Sequence, residues 1–162
     1  MVPRFGIVRG LPAGGRERQD SVWNGLQAVS RETEIVAIQD GARPCTVETT
    51  IRETIQAAHQ VGAAVSAQRV SDTIKESDEA GCIVRNVDRS RLWSVQTPQV
   101  FRVDVIRRAL EAVRAKGLLV TDDTAACELI GQPVKLVESF SPNPKVTISA
   151  DLAYIDLLLK SF

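Results

Sequence analysis

An aspartate and an arginine directly follow the apolar run Ile35–Ile38, in the segment 40–44 with the sequence Asp-Gly-Ala-Arg-Pro. Four consecutive apolar residues indicate a buried strand, and Asp, Gly and Pro are residues that end one. In an open α/β sheet, ligands bind just beyond the carboxyl ends of the strands. Asp40 and Arg43 are therefore predicted to face a ligand. The alternative is a plain ion pair that fixes the loop.

Helical and strand patterns alternate along the rest of the chain, which indicates an α/β fold with a parallel sheet. A strand, a helix and a second strand in succession form a βαβ unit, and its strands run in the same direction. The predicted elements are a helix from Ser21, as N-cap, to about Val29, strand Ile35–Ile38, helix Val47–Val61, strand Ala63–Ala67, a helix with Val103, Ile106, Leu110 and Val113 inward, a short helix capped by Asp122 or Asp123, strand Val134–Val137, and a last helix capped by Ser149 with Leu152, Ile155 and Leu159 inward.

Residues 70–92 break this alternation. They are polar and charged, with short apolar alternations on either side of a turn at 77–81, which predicts a protruding β-hairpin. Because a two-stranded ribbon is marginally stable in water, this β-arm is expected to lean on another surface, with a mobile surface hairpin as the alternative.

Composition limits the class of protein. A chain of 162 residues with 44% hydrophobic residues fits a single domain, 1–162, and 20 basic against 20 acidic residues favour neither nucleic acid nor an anionic membrane as partner. Cys45, Cys82 and Cys127 are widely spaced and are expected to be free thiols in the cytoplasm. His59 is the single histidine, so no metal cluster is predicted and His59 is expected to be an ordinary helix residue.

Further motifs follow in a fixed order. They are Gly-Gly-Arg-Glu-Arg-Gln-Asp-Ser-Val at 14–22, Asp-Thr-Ile-Lys at 72–75, Val-Asp-Arg at 87–89, Gln-Thr-Pro-Gln-Val-Phe at 96–101, Thr-Asp-Asp at 121–123 and Asn-Pro-Lys-Val-Thr at 143–147. From about Gly14 onward, this series together with segment 40–44 resembles the 2-C-methyl-D-erythritol 4-phosphate cytidylyltransferase family of the non-mevalonate isoprenoid pathway.

The resemblance implies a Rossmann-like, mostly parallel sheet with flanking helices and a protruding β-arm, the nucleotidyltransferase fold. It implies transfer of CMP from CTP to 2-C-methyl-D-erythritol 4-phosphate with release of pyrophosphate. Mg²⁺ would be carried in with CTP, and the arm 70–92 would join two chains in a homodimer. Two alternatives remain open: a ribitol-5-phosphate cytidylyltransferase, and a non-catalytic dimerising or phosphate-binding protein.

The same resemblance assigns site residues by position. Arg89 and Lys145 match the catalytic basic residues that position the substrate phosphate. The substrate-binding positions are Asp40, Arg43, Thr73, Thr97 and Thr121, and the nucleotide-binding positions are Gly15, Ser21, Asp40 and Gly41. The other basic residues of these segments, including Arg16 and Arg18, are expected to be solvated side chains.

One family feature is not found. Members begin with a strand and a Gly-rich loop whose Arg and Lys hold the triphosphate, and the glycines near the start of this chain, at 6, 10, 14 and 15, follow no such strand. The sequence therefore predicts an N-terminally truncated sheet. Since one lost transition-state donor costs about 10²–10³ in rate, activity of the chain is expected to be strongly impaired.

Overall fold

The computed structural model describes residues 10–160. The predictions about the first nine residues, including the absent Gly-rich loop, lie outside this part of the chain. The helices are α1 Arg18–Gln27, α2 Glu48–Val61, α3 Val103–Ala115, α4 Asp123–Leu129 and α5 Asp151–Leu159. The strands are β1 Ile35–Ile38, β2 Ala63–Arg69, β3 Ile74–Ser77, β4 Ile83–Val87, β5 Trp93–Arg102 and β6 Lys135–Glu138.

Four strands form the main sheet, in the order β1-β5-β2-β6. β5 pairs antiparallel with both β1 and β2, while β2 and β6 pair in parallel. β1, β2 and β6 therefore run in one direction, as the βαβ pattern predicts. The hydrogen-bonded neighbours differ from that prediction, because the reversed strand β5 lies between β1 and β2. The sheet is mixed, and the carboxyl ends of its three co-directional strands meet at one edge.

The strand β5 was not predicted as an element of the sheet. Its polar residues Gln96, Thr97 and Gln99 hide it from a search for apolar alternation, yet all three are buried. Both faces of the strand are covered, so side chains pointing either way are buried. The strand ends in the core, where the side chain of Phe101 is fully buried.

Helices cover the sheet on both faces. Phe101 and Ala63 pack with α3 and α4 in one cluster, while their neighbours Val100 and Ala64 pack with Ala58 of α2 in another. Adjacent strand residues point to opposite faces, so this division follows from strand geometry. β1 is less buried than its sequence suggests, because within residues 10–160 it pairs on one side only and Ala37 is exposed.

The helix ends refine two predictions. α1 begins at Arg18 with Glu17 as N-cap, so Ser21 lies inside the first turn and does not cap the helix. α5 has Ala150 at its N-cap position, and of its predicted inward residues only Ile155 is buried, while Leu152 and Leu159 are exposed.

In the described part of the chain, no helix is both long and apolar enough to cross a bilayer.

The predicted arm is present as a separate two-stranded sheet of β3 and β4. Asp78 closes its turn, because its carboxylate accepts a hydrogen bond from the Cys82 backbone at 2.8 Å. Ile83 and Val84 expose 67% and 59% of their surface on this arm. The arm thus presents apolar side chains that its own two strands do not bury.

Candidate active site

The carboxyl edge of the sheet brings together charges from distant parts of the chain. Asp40 follows β1, and Lys145 lies in the loop after β6. The Arg43 Nε donates to Asp40 Oδ2 at 3.2 Å, and the Lys145 Nζ lies 3.2 Å from the same oxygen. The Arg43 and Asp40 side chains are largely buried, and that of Lys145 is half-exposed. Two cations therefore converge on one carboxylate at the edge where a ligand is expected.

Asn143 holds this cluster in place through a network of hydrogen bonds. Its side-chain amide donates to the Thr97 carbonyl at 2.9 Å and to Gln96 Oε1 at 3.2 Å, and its Oδ1 accepts from the Thr46 hydroxyl at 3.0 Å. Its own carbonyl accepts from Arg43 Nη1 at 2.6 Å. Asn143 is buried. One side chain thus ties the Lys145 loop to β5 and to the segment after β1.

Thr97 lies under Asp40 and does not line the open cleft. Its hydroxyl accepts a hydrogen bond from the Asp40 backbone N–H at 3.1 Å, and the residue is 3% exposed. The contact joins β5 to the loop after β1. Thr97 therefore positions the Asp40 backbone.

The environment of Asp40 keeps its carboxyl ionised. Partial burial by itself raises the pKa of Asp40, but the contacts with Lys145 and Arg43 outweigh that effect and hold the pKa below its usual value. At neutral pH the carboxylate is charged and neutralised by its two partners. An arriving anion competes with Asp40 for these cations.

A cavity of about 300 Å³ opens beside the cluster. Arg43, Asn143 and Lys145 line it together with polar groups of Gln68, Ser94, Gln96 and Tyr154. A larger cavity of about 630 Å³ lies at the amino end of β1, between Ile35 and Arg102. We place the site at the smaller one, because its charged groups are fixed by hydrogen bonds at the carboxyl edge of the sheet.

The turn before α1 carries the predicted nucleotide-binding residues Gly15 and Ser21. The Gly15 N–H donates to the Ser21 hydroxyl at 2.9 Å. A Cβ on Gly15 would lie 2.2 Å from the Asp20 Cβ and 2.8 Å from the Asp20 carbonyl carbon, so no side chain fits there. The turn folds tightly onto the first turn of the helix, which leaves room only for glycine.

Arg89 and Thr73 lie apart from the Asp40–Lys145 cluster. They line a cavity of about 340 Å³ at the base of the arm, together with Asn86 and Asp88. The structure of the single chain therefore does not bring the predicted catalytic pair Arg89 and Lys145 into one cavity.

The remaining predicted positions are exposed. Thr121 precedes the N-cap residue of α4, Asp122, and is accessible. Gly41 has no atom within 4 Å of the position where a Cβ would stand, so packing alone does not require glycine there.

Sequence reasoning missed two parts of the site. Asn143 belongs to the quoted motif 143–147 but received no role, although a buried Asn between two prolines needs hydrogen-bond partners. Arg18 was expected to be solvated, yet its Nη2 lies 2.7 Å from Oδ2 of the fully buried Asp123. The second error has a physical cause, since no local pattern reports a partner that lies 105 residues away.

Comparison with known proteins shows the family of the chain. The family model for IspD, 2-C-methyl-D-erythritol 4-phosphate cytidylyltransferase, matches residues 8–161. The enzyme of that name from Geobacillus kaustophilus is 48% identical over 99% of this chain and 71% of its own length. The one from Pelotomaculum thermopropionicum is 43% identical over 99% of this chain and 68% of its own length.

Solved structures give the same result. The crystal structure of the Thermus thermophilus cytidylyltransferase matches with a TM-score of 0.82 at 35% identity, over 91% of this chain and 71% of that one. The synthase from Anaerococcus prevotii matches with a TM-score of 0.83 at 30% identity, over 91% and 68%. Fold, motif order and sequence agree, and the chain belongs to the 2-C-methyl-D-erythritol 4-phosphate cytidylyltransferase family, a family of nucleotidyltransferases.

Proposed function

We propose that this chain transfers CMP from CTP to 2-C-methyl-D-erythritol 4-phosphate and releases pyrophosphate. The observation that carries the proposal is the convergence of Arg43 and Lys145 on Asp40 at the carboxyl edge of the sheet. The names of its relatives support this polyol phosphate over ribitol 5-phosphate, and they support an enzyme over a non-catalytic binding protein.

The reaction needs positioned positive charge more than covalent chemistry. An oxygen of the polyol phosphate attacks the α-phosphorus of CTP, the new P–O bond forms, and the bond to the bridging oxygen of pyrophosphate breaks. Fixed cations stabilise the charge that builds on the oxygens in the transition state. Lys145 supplies a compact positive charge beside the cavity. Arg43 supplies a planar guanidinium group, which Asp40 and the Asn143 carbonyl already orient.

Mg²⁺ fits this site as a companion of the nucleotide. Residues 10–160 contain no cluster of three acidic, histidine or cysteine ligands that could hold a metal by themselves. Mg²⁺ commonly binds through one or two carboxylates together with substrate phosphates. Asp40 is the carboxylate beside the cavity cations that would hold it here. When bound, the ion neutralises phosphate charge.

The arm gives a reason to propose a homodimer. Ile83 and Val84 are exposed, and Arg89 and Thr73 line a cavity that does not include Lys145. A second copy that covers the arm would bury the apolar residues, and Arg89 of one chain would complete the other chain's site. The exposed free thiol of Cys82 on the same arm fits a reducing compartment, and we place the protein in the cytoplasm on that ground.

Pyrophosphate release from CTP and Mg²⁺ tests the main proposal, with methylerythritol phosphate or ribitol phosphate as acceptor. Lys145→Ala is expected to lower turnover by about 10²–10³, the usual cost of one lost transition-state donor. Lys160→Ala is the matched control, because Lys160 is an exposed lysine that pairs with Asp156 on α5. A folded wild-type chain that binds neither CTP nor methylerythritol phosphate overturns the proposal, and preference for ribitol phosphate overturns the assigned polyol.

Sedimentation equilibrium tests the dimer. Val84→Asp introduces a charge on the arm and is expected to shift the wild-type dimer toward monomer. Leu119→Asp is the control, because Leu119 is 74% exposed but lies outside the arm. A wild-type chain that remains monomeric at high micromolar concentration, or a Val84→Asp variant that remains dimeric, contradicts the proposed role of the arm.

A further inference from the structure

Asp123 is a buried carboxylate that its own helix does not need. It lies in the first turn of α4 with no exposed side-chain surface. Asp122 caps the helix instead, by accepting the Ala125 N–H at 2.9 Å. Apart from one ion pair, neither carboxylate oxygen of Asp123 has a hydrogen-bond donor within the described residues. Burial raises the pKa of Asp123. A buried, poorly solvated carboxylate is costly, so a retained one calls for a partner.

That partner is Arg18, the first residue of α1. Its Nη2 lies 2.7 Å from Asp123 Oδ2, in an ion pair that joins the start of α1 to the start of α4. The guanidinium side chain is 39% exposed, so its remaining donors reach solvent. Burial lowers the pKa of Arg18, but the charges of Asp123, Asp40 and Asp122 together raise it above its usual value. Arg18 thus lies within electrostatic reach of the candidate active site.

The pair also helps to anchor the turn before α1, beside the Gln19 contacts with Leu118 and Val120 and the Asp20–Arg114 ion pair. The α1 turn, residues 14–17, is exposed and is held internally, because Gly15 donates to the Ser21 hydroxyl and that hydroxyl donates to the Glu17 carbonyl at 3.3 Å. These contacts shape the turn but do not fix it to the sheet. The placement of the turn over the carboxyl edge depends on how the start of α1 is anchored.

We infer that Arg18 and Asp123 are positioning residues for nucleotide binding, which hold the α1 turn beside Asp40 so that Gly15 and Ser21 meet the nucleotide. The inference rests on the proposed function, because that function assigns the nucleotide to this turn. Asp123 acts entirely through Arg18, since its own side chain has no access to a ligand. Loss of either partner is expected to release the same turn.

Gln19 offers a control for a purely structural role. Its side chain donates to the Leu118 carbonyl at 2.9 Å and accepts from the Val120 N–H at 3.0 Å, so it ties the same turn of α1 to the segment before α4. It carries no charge toward Asp40. If any loosening of α1 weakened nucleotide binding, Gln19→Ala and Arg18→Gln would have the same effect on nucleotide affinity. The inference predicts a smaller effect for Gln19→Ala, because that variant leaves the Arg18–Asp123 pair in place.

The experiment measures CTP affinity by calorimetry in wild type, Arg18→Gln, Asp123→Asn, their double variant and Gln19→Ala, with folding checked by circular dichroism. Arg18→Gln and Asp123→Asn are each expected to weaken CTP binding about tenfold or more, as expected for a lost contact with a charged group. The double variant is expected to be no weaker than the single ones, because the two residues act as one unit. Affinity for methylerythritol phosphate is expected to stay unchanged.

Unchanged CTP affinity in Arg18→Gln overturns the inference, and so does an equal loss in Gln19→Ala. Arg18 is partly exposed, so Arg18→Gln carries the test even if Asp123→Asn does not fold. Hydrogen exchange separates this inference from the proposed function. A wild-type chain that binds no CTP refutes the function, whereas amides of residues 14–17 that exchange equally fast in wild type and Arg18→Gln refute the anchoring itself.

Discussion

Replacement of Asn143 by alanine removes the polar centre of the site. The substitution deletes the donors to the Thr97 carbonyl and Gln96 Oε1 and the acceptor for the Thr46 hydroxyl. Each lost hydrogen bond costs about 0.5–1.5 kcal/mol, and a buried group left unpaired costs about 1–3 kcal/mol. Since the Thr97 carbonyl belongs to a residue that is 3% exposed, it gains no water in exchange. We expect the free energy of unfolding to fall by about 2–4 kcal/mol.

Urea unfolding followed by circular dichroism measures this change, and thermal unfolding checks it, with an expected fall in Tm of about 5–15 °C for a chain of this size. Asn86→Ala is the matched control, because Asn86 is exposed on β4 and surface substitutions usually stay within about 0.5 kcal/mol. Asn143→Ala is also expected to lose turnover, because the loop that carries Lys145 and the residue-143 carbonyl, to which Arg43 donates, loses its side-chain tie to β5. A loss of stability below about 1 kcal/mol would refute the claim that this network holds the cluster.

Three further predictions concern the same edge of the sheet and the thiols. The pKa of Asp40 is lowered in the folded chain, so its contribution to stability is present above the usual carboxyl pKa and is lost as pH falls. The difference in unfolding free energy between wild type and Asp40→Asn should therefore shrink below about pH 4. A difference that stays constant in acid contradicts this. Gly15→Ala should destabilise the α1 turn and weaken CTP binding. Gly14→Ala should do neither, because its Cβ would meet only a hydroxyl at 3.7 Å. Equal CTP affinities of the two variants would exclude the steric argument. Burial raises the pKa of Cys127 to about 12. Iodoacetamide at pH 8 should therefore modify the exposed Cys82 in the native protein and spare Cys127, which mass spectrometry can check. Rapid labelling of Cys127 would contradict its burial in the native protein.

Much of the fold follows from patterns that are local in the chain. The strand Ile35–Ile38 lies where the apolar run predicts it, and α2, α3 and α4 agree with their predicted positions to within a residue or two at their starts. The arm also lies within its predicted range. These elements are set by burial periodicity and by turn residues, both of which can be read from neighbouring positions.

β5 could not be predicted in the same way. It contains Gln96, Thr97 and Gln99, whose polarity suggests an exposed loop, and the structure buries all three between β1 and β2. Their polar groups are acceptable there because Asn143, Asp40 and Asp122 supply partners from other segments. A strand whose burial depends on such partners carries no periodic signal of its own.

Local sequence patterns place Asp40 and Arg43 after a strand, a basic residue in the segment 143–147, and a glycine turn before a helix. Those features depend on residues close together in the chain, where sterics and burial act locally. Tertiary packing places Lys145 on Asp40, Arg43 on the Asn143 carbonyl, and Arg18 on Asp123. Each of these contacts joins residues about a hundred positions apart. Which charges meet therefore depends on the order of the strands within the sheet.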